Sequence, residues 1–228
     1  MNIAGLQKMT LLDYPGKIAC TVFLPGCNLR CPFCHNASLV LPERISSVMS
    51  QEELLQFLKK RQGCLDGVCI TGGEPTLHKD LPDLLNAIRK LGFSVKLDTN
   101  GTRPQILKSL LDAGLVDYVA MDIKNSPEQY TRTCGGIDVL SQVSESIRIL
   151  MDSGVDYEFR TTVLHPYHTP EDLVAIGHWI CGAKRYFIQA FVDSGDLIGT
   201  GKAMTKEELQ SLLQAVTPII PHTQLRGV

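Results

Sequence analysis

Six short segments dense in β-branched and aliphatic residues recur along the 228-residue chain, each followed by a stretch of helical periodicity or a loop that leads to one. They cover residues 18–24, 67–71, 94–98, 118–123, 158–164 and 186–192. Several are apolar almost without interruption, as parallel strands covered on both faces are. The helical stretches carry their own punctuation. Ser50-Gln51-Glu52-Glu53 reads as a capping box ahead of Leu54, Leu55, Phe57 and Leu58. Asp80-Leu81-Pro82 opens another helix, which Gly92 ends, and further helices fit 104–113, 139–152, 170–180 and 206–216. Such alternation folds as right-handed βα units, an α/β fold. Six units are fewer than a full eight-unit barrel needs, which leaves a partial (β/α)6 TIM-like barrel or an open doubly wound sheet. No low-complexity tract or Pro/Ser-rich linker divides the chain, so one domain over 1–228 is expected. It comprises a lead-in turn or hairpin over 1–16, a six-strand core over 17–192, and a C-terminal loop and helix over 193–228.

In both architectures function collects at the carboxyl ends of the strands. The first strand runs into Pro25-Gly26-Cys27-Asn28-Leu29-Arg30-Cys31-Pro32-Phe33-Cys34-His35-Asn36 and the second into Gly72-Gly73-Glu74-Pro75. The third ends in Asp98-Thr99-Asn100-Gly101; the fourth carries Asp122 and Lys124, the fifth Arg160 and the sixth Gln189. Polar or glycine-rich chemistry at every rim is the mark of an enzyme. Individually the motifs have plainer readings: a strand-to-helix turn for Gly-Gly-Glu-Pro, an Asn-Gly turn after the third strand, and snorkelling rim cations for Lys124 and Arg160.

Composition matters most at the cysteines. Eight are present, but at 44% hydrophobic residues a chain of this length needs no disulfide framework. Cys27, Cys31 and Cys34 crowd into one octapeptide, whereas Cys20, Cys64, Cys69, Cys134 and Cys181 are scattered singly. A structural zinc site would call for a second ligand pair at a distance, and none is present; His35 directly follows Cys34, which makes chelation by both awkward. Three soft thiolates instead suit an iron–sulfur cluster with one iron left open to substrate or cofactor. Zinc and unliganded core cysteines remain the alternatives.

Cys-Asn-Leu-Arg-Cys-Pro-Phe-Cys, joined to Gly72-Gly73-Glu74 and Asp98-Thr99-Asn100-Gly101, resembles the CxxxCxΦC enzymes of the radical S-adenosylmethionine (SAM) superfamily, with Phe33 as the aromatic Φ. The resemblance extends from the first strand through the sixth. It implies a partial (β/α)6 barrel, a [4Fe–4S] cluster on Cys27, Cys31 and Cys34, and SAM on the fourth iron. It further implies that Phe33 and His35 border the adenine and that Asp98 or Asn100 bonds the ribose. Gly72 and Gly73 would let the backbone approach the methionyl part, whose ammonium Glu74 would accept. Lys124 and Arg160 would neutralise its carboxylate, with Gln189 on the last rim. In related activating enzymes acidic residues hold a monovalent cation beside SAM, and Asp98, Thr99 and Asp122 match that arrangement.

The local wording is similar to a narrower group. Leu12-Asp13-Tyr14-Pro15-Gly16-Lys17 before the first strand, with Cys34-His35-Asn36 after it, resembles the activating proteins of anaerobic ribonucleoside-triphosphate reductases and of pyruvate formate-lyase. The resemblance implies hydrogen abstraction from a glycine of a partner glycyl radical enzyme, Asp13 touching the glycine-bearing loop, and a flavodoxin- or ferredoxin-type electron donor. A small-molecule radical SAM enzyme of deazaguanine-synthase type is the alternative within that chemistry, and a non-catalytic zinc module the alternative outside it. A net charge of −2 argues against a strongly basic nucleic-acid binder. No run approaches about 18 apolar residues and the first residues lack an apolar core, so no membrane span or signal peptide is expected and the setting is cytoplasmic.

Overall fold

The computed structural model describes residues 1–45 and 49–227; residues 46–48 of the expected core and 228 of the expected C-terminal segment lie outside the described residues. A strand forms at each of the six expected places. In chain order the elements are β1 (Asn2–Ile3), β2 (Gly5–Thr10), β3 (Ala19–Leu24), α1 (Ala37–Val40), β4 (Met49–Ser50), α2 (Gln51–Lys59), β5 (Gly67–Gly72), α3 (Leu81–Lys90), β6 (Ser94–Thr99) and α4 (Pro104–Asp112). They continue as β7 (Tyr118–Asp122), α5 (Tyr130–Thr133), α6 (Leu140–Asp152), β8 (Asp156–Val163), α7 (Pro170–Trp179), β9 (Tyr186–Ala190), α8 (Lys206–Val216) and β10 (Thr223–Arg226).

One eight-stranded sheet runs β10-β9-β8-β7-β6-β5-β3-β2, parallel throughout except for the antiparallel β2. One of these strands settles between the two lead-in forms expected, and one corrects the sequence reading. β2 makes the lead-in a true hairpin with β3. β10, whose Thr-Gln-Leu-Arg has too few apolar residues to announce a strand, adds a seventh parallel stave to the expected six. The expected capping box of α2 forms, with Ser50 Oγ accepting from Glu53 N and Glu53 Oε2 from Ser50 N. Thr169 and Thr205 cap α7 and α8 in the same way.

Strand pleating decides what faces where. Val22, Ile70, Leu97 and Val119 are fully buried on one face, in a core that also holds Leu84, Leu85 and Ile88 of α3. The alternate positions carry Thr21, Cys69, Thr71, Lys96, Asp98, Asp122, Glu158, Arg160, Thr162 and Gln189, interspersed with Phe23, Tyr118, Ala120 and Phe187, so the other face is largely polar. In register, Cys69 lies opposite Lys96, Asp122 opposite Arg160, and Thr162 opposite Gln189. A largely parallel sheet with one apolar and one charged face fits a curved, incompletely closed barrel whose interior does chemistry.

The glycines after β5 hold two strand ends together. A methyl on Gly73 would collide with the carbonyl of Gly26, and one on Gly72 with the backbone of Leu24. Gly73→Ala is expected to lower stability by about 1–3 kcal/mol or more, because backbone must move to admit it. Gly92→Ala, at positive φ but with nothing near its Cβ, is expected to cost only about 1–2 kcal/mol in urea unfolding.

Candidate active site

β3 hands the chain to the cysteine loop, and several neighbours pin that loop. Gly26 O accepts from Glu74 N and Gly26 N donates to Leu39 O, each at 2.7 Å. His78 Nε2 bonds Pro25 O at 2.8 Å. Arg30 Nη1 donates to the carbonyls of Cys27 and Leu29, both at 2.8 Å, while Arg30 N reaches Cys134 O at 3.3 Å. From the segment after β9, Gly199 N donates to Pro32 O and Ser194 Oγ to His35 O. Cys27, Cys31 and Cys34 all line one cavity of about 410 Å³, within the range of small-molecule sites. Burial pushes the Cys27 thiol up to about 11 and raises Cys34 as well. Cys31 is held below the ordinary value, chiefly by the thiol of Cys134 against it. The Lys124 ammonium favours the thiolate at all three.

Beside the thiols the polar face of the sheet forms a ladder of charges. Arg160 bridges two carboxylates, Nε to Asp122 Oδ1 at 2.9 Å and Nη1 to Asp98 Oδ2 at 3.1 Å. Lys96, almost wholly buried, pairs with Asp98, and Lys124 Nζ reaches Asp122 Oδ2 at 2.8 Å. Burial alone would raise Asp98 and Asp122, but the Arg160 charge, joined by Lys96 or Lys124, outweighs it and holds both below the usual carboxylate range. Three cations face two carboxylates here, a surplus of one positive charge. The acidic pair expected to hold a monovalent cation is thus already matched by the chain's own basic groups.

Glu74 departs from expectation. Its carboxylate is fully buried and is not part of the cavity lining. Oε1 accepts from Thr76 N, Thr76 Oγ1 and Thr99 Oγ1, and Oε2 from Asn100 N at 2.6 Å. Burial raises its pKa, and among the described residues no basic side chain pairs with it. Asn100 carries the connection onward, with Nδ2 to Asn28 Oδ1 at 3.1 Å and to Cys27 Sγ at 3.8 Å, while Asn28 Nδ2 donates to Thr102 Oγ1 at 2.8 Å. Gly72 and Gly73 line the cavity as expected, but the crowding that excludes a side chain there comes from the protein backbone.

The other expected residues converge on the same cavity: Asp13, Phe33, His35, Asp98, Thr99, Asn100, Asp122, Lys124, Arg160 and Gln189 all line it. Phe33 packs against Tyr167 and His168, and His35 against Phe191. Among the described residues, His35 Nε2 is buried without a hydrogen-bond partner. Asp13 joins the lining from the β2–β3 hairpin, at the amino end of β3, and its Oδ2 accepts from Thr21 Oγ1 at 2.6 Å. His168 is buried and donates from Nε2 to Lys124 O at 2.9 Å, its ring kept neutral by burial. Sequence reasoning passed over Asn28, Thr76 and Thr102, although they flank the motifs it singled out. It also passed over the lining residues Thr71 and Thr162, which strand alternation from Asp98 and Arg160 places on the same face.

The family model for the radical SAM superfamily matches residues 21–180. The chain belongs to that superfamily. A glycyl-radical enzyme activating enzyme of Methanocaldococcus jannaschii is 33% identical over 197 residues, covering 83% of this chain and 79% of that protein. A 7-carboxy-7-deazaguanine synthase of Thermococcus kodakarensis is 32% identical over 158 residues, 61% of each. Among solved structures, a radical SAM methyltransferase from Sphaerobacter thermophilus superposes with a TM-score of 0.73 over 96% of this chain and 68% of that one, at 11% identity, which speaks to the fold. This is therefore a radical SAM enzyme, whose cofactors are a [4Fe–4S] cluster and SAM, and the non-catalytic zinc module is set aside.

The site suits those cofactors in kind. Three thiols share one cavity, a cation favours their ionised form, Lys124 and Arg160 line it as cations able to meet a carboxylate, and, among the described residues, a buried ring nitrogen of His35 lacks a partner. Among the described residues no three His, Cys, Asp or Glu side chains stand close enough to share one metal ion, which a cubane does not ask of them, because each thiolate binds a different iron. Arg160 is the keystone of the cation–carboxylate set. Because Asp98 and Asp122 titrate below their unfolded values, their contribution to stability is present above about pH 4 and is lost as pH falls through the folded values. Arg160→Gln is expected to cost about 3 kcal/mol near neutrality and to move that acid loss to higher pH, read from urea midpoints as a function of pH.

Proposed function

We propose that this radical SAM enzyme is a glycyl-radical-enzyme activase and that its partner is an anaerobic ribonucleoside-triphosphate reductase. The observation that carries the reading is the likeness to the activating-enzyme relative across 83% of this chain, against 61% for the deazaguanine synthase. The Asp13-Tyr14-Pro15-Gly16 and Cys34-His35-Asn36 wording supports it. Cys27, Cys31 and Cys34 hold the cluster. When bound, the cluster and SAM supply a carbon-centred radical able to take hydrogen from a substrate. Lys124 and Arg160 receive the carboxylate of SAM, Phe33 and His35 border its adenine, and Asn100 fixes the cysteine loop against the ribose side. Gln189 and Thr162 complete the wall. Glu74 acts from behind the cavity wall, holding the backbone of Asn100 where the cofactor passes it. Asp13, reaching the cavity from the hairpin, meets the glycine-bearing loop of the partner, which loses one hydrogen atom from its α-carbon. A flavodoxin- or ferredoxin-type protein supplies the electron, and the cytoplasm is the setting.

Anoxically reconstituted protein, SAM, a reductant and the candidate reductase should together give a glycyl doublet by electron paramagnetic resonance, absent when the partner's glycine is replaced. Turnover of a small-molecule deazaguanine precursor with no doublet would transfer the assignment to the other relative. Replacing any one of Cys27, Cys31 or Cys34 by Ala should abolish deoxyadenosine formation. Cys64→Ala and Cys181→Ala, at exposed positions, should leave it within about twofold.

A further inference from the structure

A second cavity, of about 930 Å³, opens at the amino ends of the strands, away from the cysteine loop. Ser94, Tyr118 and Asp156, which begin β6, β7 and β8, line it together with Arg185 and His222, which precede β9 and β10. It has no lining residue in common with the active cavity. Two of its carboxylates are already matched. Buried Glu158 accepts from Arg226, Nη1 to Oε1 at 2.9 Å and Nη2 to Oε2 at 3.2 Å, and Asp117 pairs with Arg89. Among the described residues Lys17, Lys184 and Arg185 form no ion pair, and of the lining acids only Asp156 is likewise unmatched. The three cations stand over rings instead. Lys17 Nζ lies 5.7 Å from the centroid of Tyr14, Lys184 Nζ 5.7 Å from that of Tyr157, and Arg185 Cζ 5.8 Å from that of Tyr118. Arg185 Nη1 also donates to Tyr118 Oη at 3.2 Å, whose own proton goes to Glu158 Oε2. A ring face attracts a cation but has no oxygen lone pairs to meet its N–H groups.

We propose that this lower cavity binds a small molecule carrying a phosphate group, with Lys17, Lys184 and Arg185 receiving the phosphate oxygens. Three unmatched cations against one unmatched acid leave a surplus of two positive charges, which a dianion answers and a single carboxylate does not. A guanidinium fork beside two ammonium groups is the donor set that phosphate oxygens suit. The volume is far more than a bare phosphate fills and lies within the range of small-molecule sites. Beside the cations, the Arg226 guanidinium lies 3.6 Å from the centroid of Phe187, a flat surface for the rest of the molecule. The inference holds whichever substrate the active cavity serves.

Isothermal titration calorimetry of the anoxically reconstituted full-length protein tests it, with SAM present to fill the active cavity and sodium chloride holding ionic strength constant. The probes are inorganic phosphate and ATP. Wild type should bind at least one of them saturably at one site per chain. Lys184→Gln/Arg185→Gln, at exposed positions, should weaken that binding about tenfold or more, while Lys59→Gln/Lys60→Gln, the same charge change at the end of α2, should not. No saturable binding of either probe to wild type would overturn the proposal. So would equal affinity in the Lys184/Arg185 variant, or an equal loss in both double variants. Should the Lys184/Arg185 variant fail to fold, Lys17→Gln decides: weakened binding upholds the site and unchanged binding refutes it.

Discussion

One guanidinium holds two carboxylates apart inside a half-closed barrel, and the active-site wall is arranged around that bond. Asp98 and Asp122 sit on adjacent parallel strands and would repel one another if left alone; Arg160, entering from the third strand in the row, turns the repulsion into a bridge. Lys96 and Lys124 then flank the bridge, one toward the floor and one toward the thiols. Ion pairs largely removed from water are a weak source of net stability, because desolvation cancels much of the attraction. Their value lies in placement: each charged group can occupy only the position its partners dictate. The same network makes Lys124 available to the cysteines, since its carbonyl is fixed by His168 and its ammonium by Asp122.

Much of this was legible in the chain. The strands at 94–98 and 118–123 could be found from Val95, Leu97, Val119 and Met121, which face the helices, while Lys96, Asp98 and Asp122 between them signalled a polar interior. The cysteine spacing and the glycines after β5 stated the chemistry outright. Three things were harder to see. β10 depends on pairing with β9 and has little apolar character of its own, so a local reading finds a loop. Glu74 looks like a ligand-facing acid in sequence, but four donors from two loops draw it inward, and only tertiary geometry decides between the two. His168 lies between loop-forming residues, yet the peptide carbonyl of Lys124, 44 residues away, pulls it under cover.

The interior polarity also accounts for the division of labour between faces of the sheet. Hydrophobic burial is concentrated where β-strands meet helices, which frees the opposite face from the duty of stabilising the fold. That face could therefore collect Lys96, Asp98, Glu158 and Arg160, residues that an ordinary core would reject.

The buried carboxylate of Glu74 has a mechanical consequence. By gripping Thr76 after one strand and Thr99 with Asn100 at the end of the next, and with Asn100 in turn gripping Asn28, it ties together three connections that the Glu74 amide, His78 and Thr102 also join. Loops joined only through their strands would drift separately, each adding its own slack to the distance between cofactor and protein. Riveted at these points they shift as a unit, so a tug on the metal-bearing turn is transmitted sideways across the rim without travelling down one strand and up another.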